Sequence, residues 1–86
     1  MMLHIQVEVV GKGILNLDME VDDRDTAIQR TLMRVEDQLN TQLHLNQIGQ
    51  FTIDGELVEP ERIQSIWDMH QRYEVNSGFW RRLTER

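Results

Sequence analysis

Leu3-His4-Ile5-Gln6-Val7-Glu8-Val9-Val10, Gly11-Lys12-Gly13 and Ile14-Leu15-Asn16-Leu17-Asp18-Met19-Glu20-Val21 follow one another without interruption near the start of the chain. Apolar and polar residues alternate on both sides of the glycine-bracketed break, the period of a strand with one dry face. A β-hairpin follows. With Gly11 to Gly13 as a three-residue loop, Val10 is expected opposite Ile14, Val9 opposite Leu15, Val7 opposite Leu17 and Ile5 opposite Met19. That register points the alternate apolar residues at a core and turns Val10 and Ile14 outward as a cross-strand pair.

Outward from the hairpin, Asp22, Asp23 and Asp25 precede Ile28, Leu32, Val35, Leu39 and Leu43. Spacings of three and four make one helical face, and acidic residues at its start suit the unpaired N–H groups there. The pattern predicts a helix over 23–43, with Gly49 ending the connection after it. Arg30, Arg34 and Asp37 form the solvated side, where Met33 is an apolar exception. Phe51-Thr52-Ile53, Asp54-Gly55 and Glu56-Leu57-Val58 read as a short strand, a tight turn and an apolar continuation. Pro60 suits a first helical position, and Ile63, Ile66, Trp67, His70 and Tyr73 follow at helical spacing, so a second helix is expected over about 60–72. Asn76-Ser77-Gly78 is a turn, and Phe79 to Leu83 a last strand or an ordered tail. The expected class is α+β: an N-terminal hairpin packed on a long helix, then a short strand and turn and a second helix, all in one small domain over residues 1–86.

Val10-Gly11-Lys12, then Leu17-Asp18-Met19-Glu20-Val21, an acidic cap and an amphipathic helix resemble the first half of the ubiquitin-like β-grasp. Phe51 to Val58 is similar to that family's middle strand and glycine turn, so the resemblance spans residues 3–58. It implies a sheet cradling one helix and a protein-binding role. Three departures qualify what it carries over. The sequence ends Leu83-Thr84-Glu85-Arg86, without the glycine pair of conjugating or sulfur-carrying members. Thr52 stands where the family has an exposed apolar contact. The segment from Pro60 to Tyr73 is longer than the family's single turn, which leaves a ββαββα sandwich as the other arrangement.

Composition narrows the chemistry. Among 86 residues, 9 Lys and Arg stand against 15 Asp and Glu, a formal charge of −6, and cysteine is absent. Disulfides, thiolate nucleophiles and sulfur-ligated zinc are therefore excluded, and bulk attraction to phosphates or anionic membranes is disfavoured. A 40% hydrophobic content with one proline favours a packed core over disorder. His4, Gln6 and Glu8 interrupt the apolar residues that a signal peptide or membrane span requires, so a cytoplasmic protein is expected. The aspartates lack the glycine and twelfth-position glutamate of a calcium loop and read as a helix cap. His4, His44 and His70 fall on separate elements, Ser65 and Ser77 lack a nucleophile-elbow context, and Gly11-Lys12-Gly13 leads into a strand rather than the helix of a phosphate loop. No enzyme and no cofactor is implied.

What remains is contact chemistry. Four basic and eleven acidic residues occupy positions 1–60, five and four the remainder, and Tyr73, Phe79 and Trp80 stand near Arg72, Arg81 and Arg82. Such aromatics can stack on bases or seal a core while arginines reach water; core sealing is the preferred reading, and nucleic acid the least favoured. The expected function is a non-catalytic protein-binding accessory module, contacting an unidentified protein or a second copy through Val10, Ile14, Phe79 and Trp80. The alternative is an acidic inhibitor of a nucleic-acid enzyme, presenting Glu8, Asp18, Glu20, Asp22, Asp23 and Asp25 in place of phosphates.

Overall fold

The computed structural model describes residues 1–71 of the chain. Its elements follow the ββαββα order: β1 (Met2–Val9), β2 (Gly13–Glu20), α1 (Arg24–Leu39), a 3-10 turn (Leu45–Gln47), β3 (Ile48–Ile53), β4 (Glu56–Leu57) and α2 (60–71). The α+β class is as expected from the sequence. All pairings are antiparallel, in the order β2-β1-β3-β4. Among the described residues, β2 is therefore an edge and β1 is paired on both sides.

The hairpin forms, but its register differs by two residues from the sequence expectation. Val9 faces Gly13, Glu8 faces Ile14, Val7 faces Leu15, and Ile5 faces Leu17. The loop is Val10-Gly11-Lys12, closed by the Lys12 N–H donating to the Val9 carbonyl at 2.9 Å. Gly11 is the third residue of this turn with φ +80°, the signature of a type II turn, and Gly13 opens β2 with φ +107°. A slip of two preserves which face each side chain occupies, so the inner and outer sets stand while the pairing is corrected. Val10 and Ile14 are not a cross-strand pair: Ile14 lies opposite Glu8, and the Val10 N–H reaches across to the Gln47 carbonyl at 2.8 Å.

On the inner face, Leu3, Ile5, Val7 and Val9 are buried with Ala27, Ile28, Leu32 and Val35 of α1, Phe51 and Ile53 of β3, and Ile63 and Trp67 of α2. Leu15, Leu17 and Met19 are only partly buried against this core, as an edge strand allows. Buried Thr31 satisfies its hydroxyl locally, donating to the Ala27 carbonyl at 2.7 Å. Asp23 is the N-cap of α1, accepting the Thr26 N–H at 2.7 Å.

The helix ends earlier than 43. Asn40 adopts φ +53° and turns its N–H back to the Glu36 and Asp37 carbonyls. Asparagine tolerates this left-handed conformation, which stops the helix. Leu43 is buried nonetheless, because the Glu36 carboxylate accepts its N–H at 2.9 Å and holds the departing chain against the core. Gly49 lies inside β3 rather than ending the connection; a Cβ there would run into the Glu8 side chain, at the place where the β1–β3 register shifts. Asp54-Gly55 makes the expected turn into β4.

Two expectations follow. Gly11→Ala, with free space around it but a left-handed φ, should lower stability by about 1 kcal/mol or more in urea unfolding, and Gly11→Asn by less. The backbone N–H of Thr26, and then its side chain, hold the Asp23 carboxyl below its ordinary value of 3.8. A depressed folded value gives stability that is present above 3.8 and lost as pH falls through the folded value. Urea unfolding across that window should therefore show wild type losing stability relative to Asp23→Asn on acidification, and no relative change near neutral pH.

Candidate functional site

β2 reads Gly13-Ile14-Leu15-Asn16-Leu17-Asp18-Met19-Glu20 and pairs with β1 along its whole length without a bulge. The direction in which its outer backbone groups point follows from hydrogen bonds elsewhere in the sheet. Asp54 donates its N–H to the His4 carbonyl at 2.7 Å, so His4, and with it Gln6 and Glu8, turn their backbone groups toward β3. Val21 donates to the Met1 carbonyl at 3.0 Å on the other side. Because backbone groups alternate sides along an antiparallel strand, the odd-numbered residues of β2 bond to β1. Those of Ile14, Asn16, Asp18 and Glu20 face away from the sheet.

The same four residues place their side chains on the outer face, beside His4, Gln6 and Glu8 of β1. Asp18 accepts from His4 Nδ1 at 2.8 Å, and Glu20 takes the Met1 amino group at 2.8 Å, yet their side chains remain 70% and 69% exposed. Val10 and Ile14 are each 59% exposed, at the turn end of this face. Phe79 and Trp80 lie outside the described residues, as does Tyr73.

Other candidate clusters resolve into structural roles or stay apart. Asp23 caps α1, and Asp25 receives the Arg62 guanidinium, tying α1 to α2. His4 is on the sheet face, His44 leads into the 3-10 turn, and His70 is 8% exposed, stacked on Trp67 with ring centroids 5.1 Å apart and bonded through Nδ1 to Gln29 at 2.9 Å. Among the described residues, no group of three or more His, Asp and Glu is arranged to hold a metal. Ser65 is exposed on α2.

The clefts formed by the described residues include an apolar one and a more polar one. One, of about 530 Å³, has an apolar lining that includes Leu45, Ile48, Leu57, Val58 and Ile63. The other, of about 620 Å³, runs along the end of α1 past Glu36, Asp37, Asn40 and Trp67, whose buried indole Nε1 has no partner among the described residues. Among the described residues, neither cleft is lined by a serine or a histidine.

Sequence reasoning put Val10 and Ile14 on the surface, where they are, but did not single out Ile14, Asn16, Asp18 and Glu20 as the residues whose backbone groups turn away from the sheet. Local alternation says that β2 is half-buried; only the pairing of distant β3 with β1 makes β2 the margin.

No family model, curated protein or solved structure matches this chain. No helix among the described residues is long and apolar enough to cross a membrane.

Since Val10 and Ile14 are exposed and do not oppose each other, Val10→Glu with Ile14→Lys should shift thermal stability by no more than about 1 kcal/mol, near the limit for two surface changes. Cooperative melting followed by circular dichroism checks this; loss of the folded state would mean that the turn end of the face is buried.

Proposed function

We propose that the chain is a non-catalytic protein-binding module that engages its partner along the outer edge of the hairpin. The observation supporting this reading is β2: eight residues at the margin of the sheet, whose backbone groups at every second residue have no strand partner among the described residues, with the partly exposed flanks of Leu15, Leu17 and Met19 between them. An open edge is a template for another strand, and proteins commonly blunt it with charged side chains, lysine above all, with proline or with a bulge. β2 has no lysine, no proline and an unbroken register, and its charged side chains are Asp18 and Glu20. Strand addition takes affinity from the main chain and selectivity from alternate side chains.

The acidic-inhibitor reading draws less support. Four of its six carboxylates already have partners: Asp18 with His4, Glu20 with the Met1 amino group, Asp23 with the Thr26 N–H and Asp25 with Arg62.

Asn16→Pro tests the edge, because it removes an outward N–H and leaves the ladder to β1 intact, a change that edge strands tolerate. Immobilised wild type, Asn16→Pro and Met33→Glu are exposed to lysate of the source cells, and retained proteins are identified by mass spectrometry. The expected result is a protein held by wild type and Met33→Glu and lost from Asn16→Pro. Equal retention by all three, or loss from Met33→Glu alone, would move the contact away from β2.

A further inference from the structure

Resting on that reading, we infer that the strand which adds to β2 is a basic amphipathic segment of a partner protein, with Lys or Arg alternating with apolar residues. The backbone edge and the side-chain chemistry point to the same ligand. The residues whose N–H and C=O groups face outward, Ile14, Asn16, Asp18 and Glu20, also carry the outer-face side chains. In antiparallel pairing, residues that exchange hydrogen bonds share a face. A partner residue bonded to the Asp18 or Glu20 backbone therefore presents its side chain beside those carboxylates.

No lysine or arginine of the described strands lies on this outer face, whose carboxylates are Glu8, Asp18 and Glu20; Asp18 meets His4 and Glu20 the Met1 amino group, but the two side chains stay 70% and 69% exposed and open to a further cation. Opposite charges across a strand pair are favourable and like charges are not. The partner's other side chains fall on the inner side, against the partly buried Leu15, Leu17 and Met19, where apolar residues fit.

Charge also argues against a second copy of this chain as the occupant. Antiparallel pairing of β2 with itself about Leu17 would set Asp18 opposite Asn16 and the two Asp18 carboxylates on the diagonal, pairing about Asn16 would set Asp18 opposite Ile14, and either brings together chains that each carry −6. A basic strand relieves that repulsion instead of creating it.

The probe is an acetylated, amidated heptapeptide, Val-Lys-Val-Lys-Val-Lys-Val, titrated into the full chain and followed by amide NMR and hydrogen exchange, with Val-Glu-Val-Glu-Val-Glu-Val as its acidic counterpart. The expected result is saturable binding of the basic peptide alone, with the Asn16 and Asp18 amides exchanging at least ten times more slowly. N-methylation of the lysine residues, whose N–H groups face β2 in antiparallel addition, should abolish binding, and N-methylation of the valines should not. The reverse methylation pattern would make the addition parallel and still support the inference. Because methylated peptides act on the unaltered protein, the result stands even if Asn16→Pro fails to fold.

Binding indifferent to both methylation patterns would show plain charge attraction and overturn the inference. Preference for the acidic peptide at the same amides would overturn the basic partner while leaving the edge contact standing. Protection elsewhere, or no binding with Asn16 and Asp18 still fast, would remove both. A self-associated species in sedimentation that Asn16→Pro dissociates, with no peptide binding, would make a second copy the occupant and overturn the basic partner.

Discussion

β1 is the strand on which everything else leans. It is hydrogen-bonded to β2 on one side and to β3 on the other, while its odd-numbered side chains, Leu3, Ile5, Val7 and Val9, fill the centre of the core. Burial on that face fixes its orientation, since a slip by one residue would drive His4, Gln6 and Glu8 inward. The even-numbered set makes the outer face polar, and the backbone alternation along β1 determines which groups of β2 turn away from the sheet. Edge and core are thus two results of one period.

Around that strand the helices are fastened at their ends. Asp23 secures the start of α1, Asn40 terminates it, and the Glu36 carboxylate recaptures the chain at Leu43. Between α1 and α2 run an exposed ion pair, Arg62 with Asp25, and a partly buried contact, Gln29 with His70. Exposed pairs contribute little, so the docking of α2 depends on Ile63 and Trp67 in the core.

Much of this was legible in the sequence, and the failures share a cause. Alternation assigned the faces of the hairpin correctly because face depends only on parity. Register was missed by two because parity is blind to an even slip, and Gly11 and Gly13 both suit a turn; the Val9–Lys12 hydrogen bond chose between them. Leu43 extended the helical spacing beyond the helix because a buried residue outside a helix leaves the same apolar mark as one inside it. Asn40, as a residue that accepts a left-handed backbone, was the available signal. The edge character of β2 depends on β3, roughly thirty residues further along, and no local pattern contains it.

The arrangement of β1 also sets a sequence of events during synthesis. The centre of the sheet and one neighbour are complete once Glu20 has been made, whereas β3 ends at Ile53, thirty-three residues later. At ribosomal rates of about 5–20 residues per second, that interval lasts roughly 2–7 s. Throughout it the β3 side of β1 has no native neighbour, and Ile5 and Val7 face water until α1 arrives to cover them. Until β3 is made, β1 has only one of the two strand neighbours that hold it in the finished sheet.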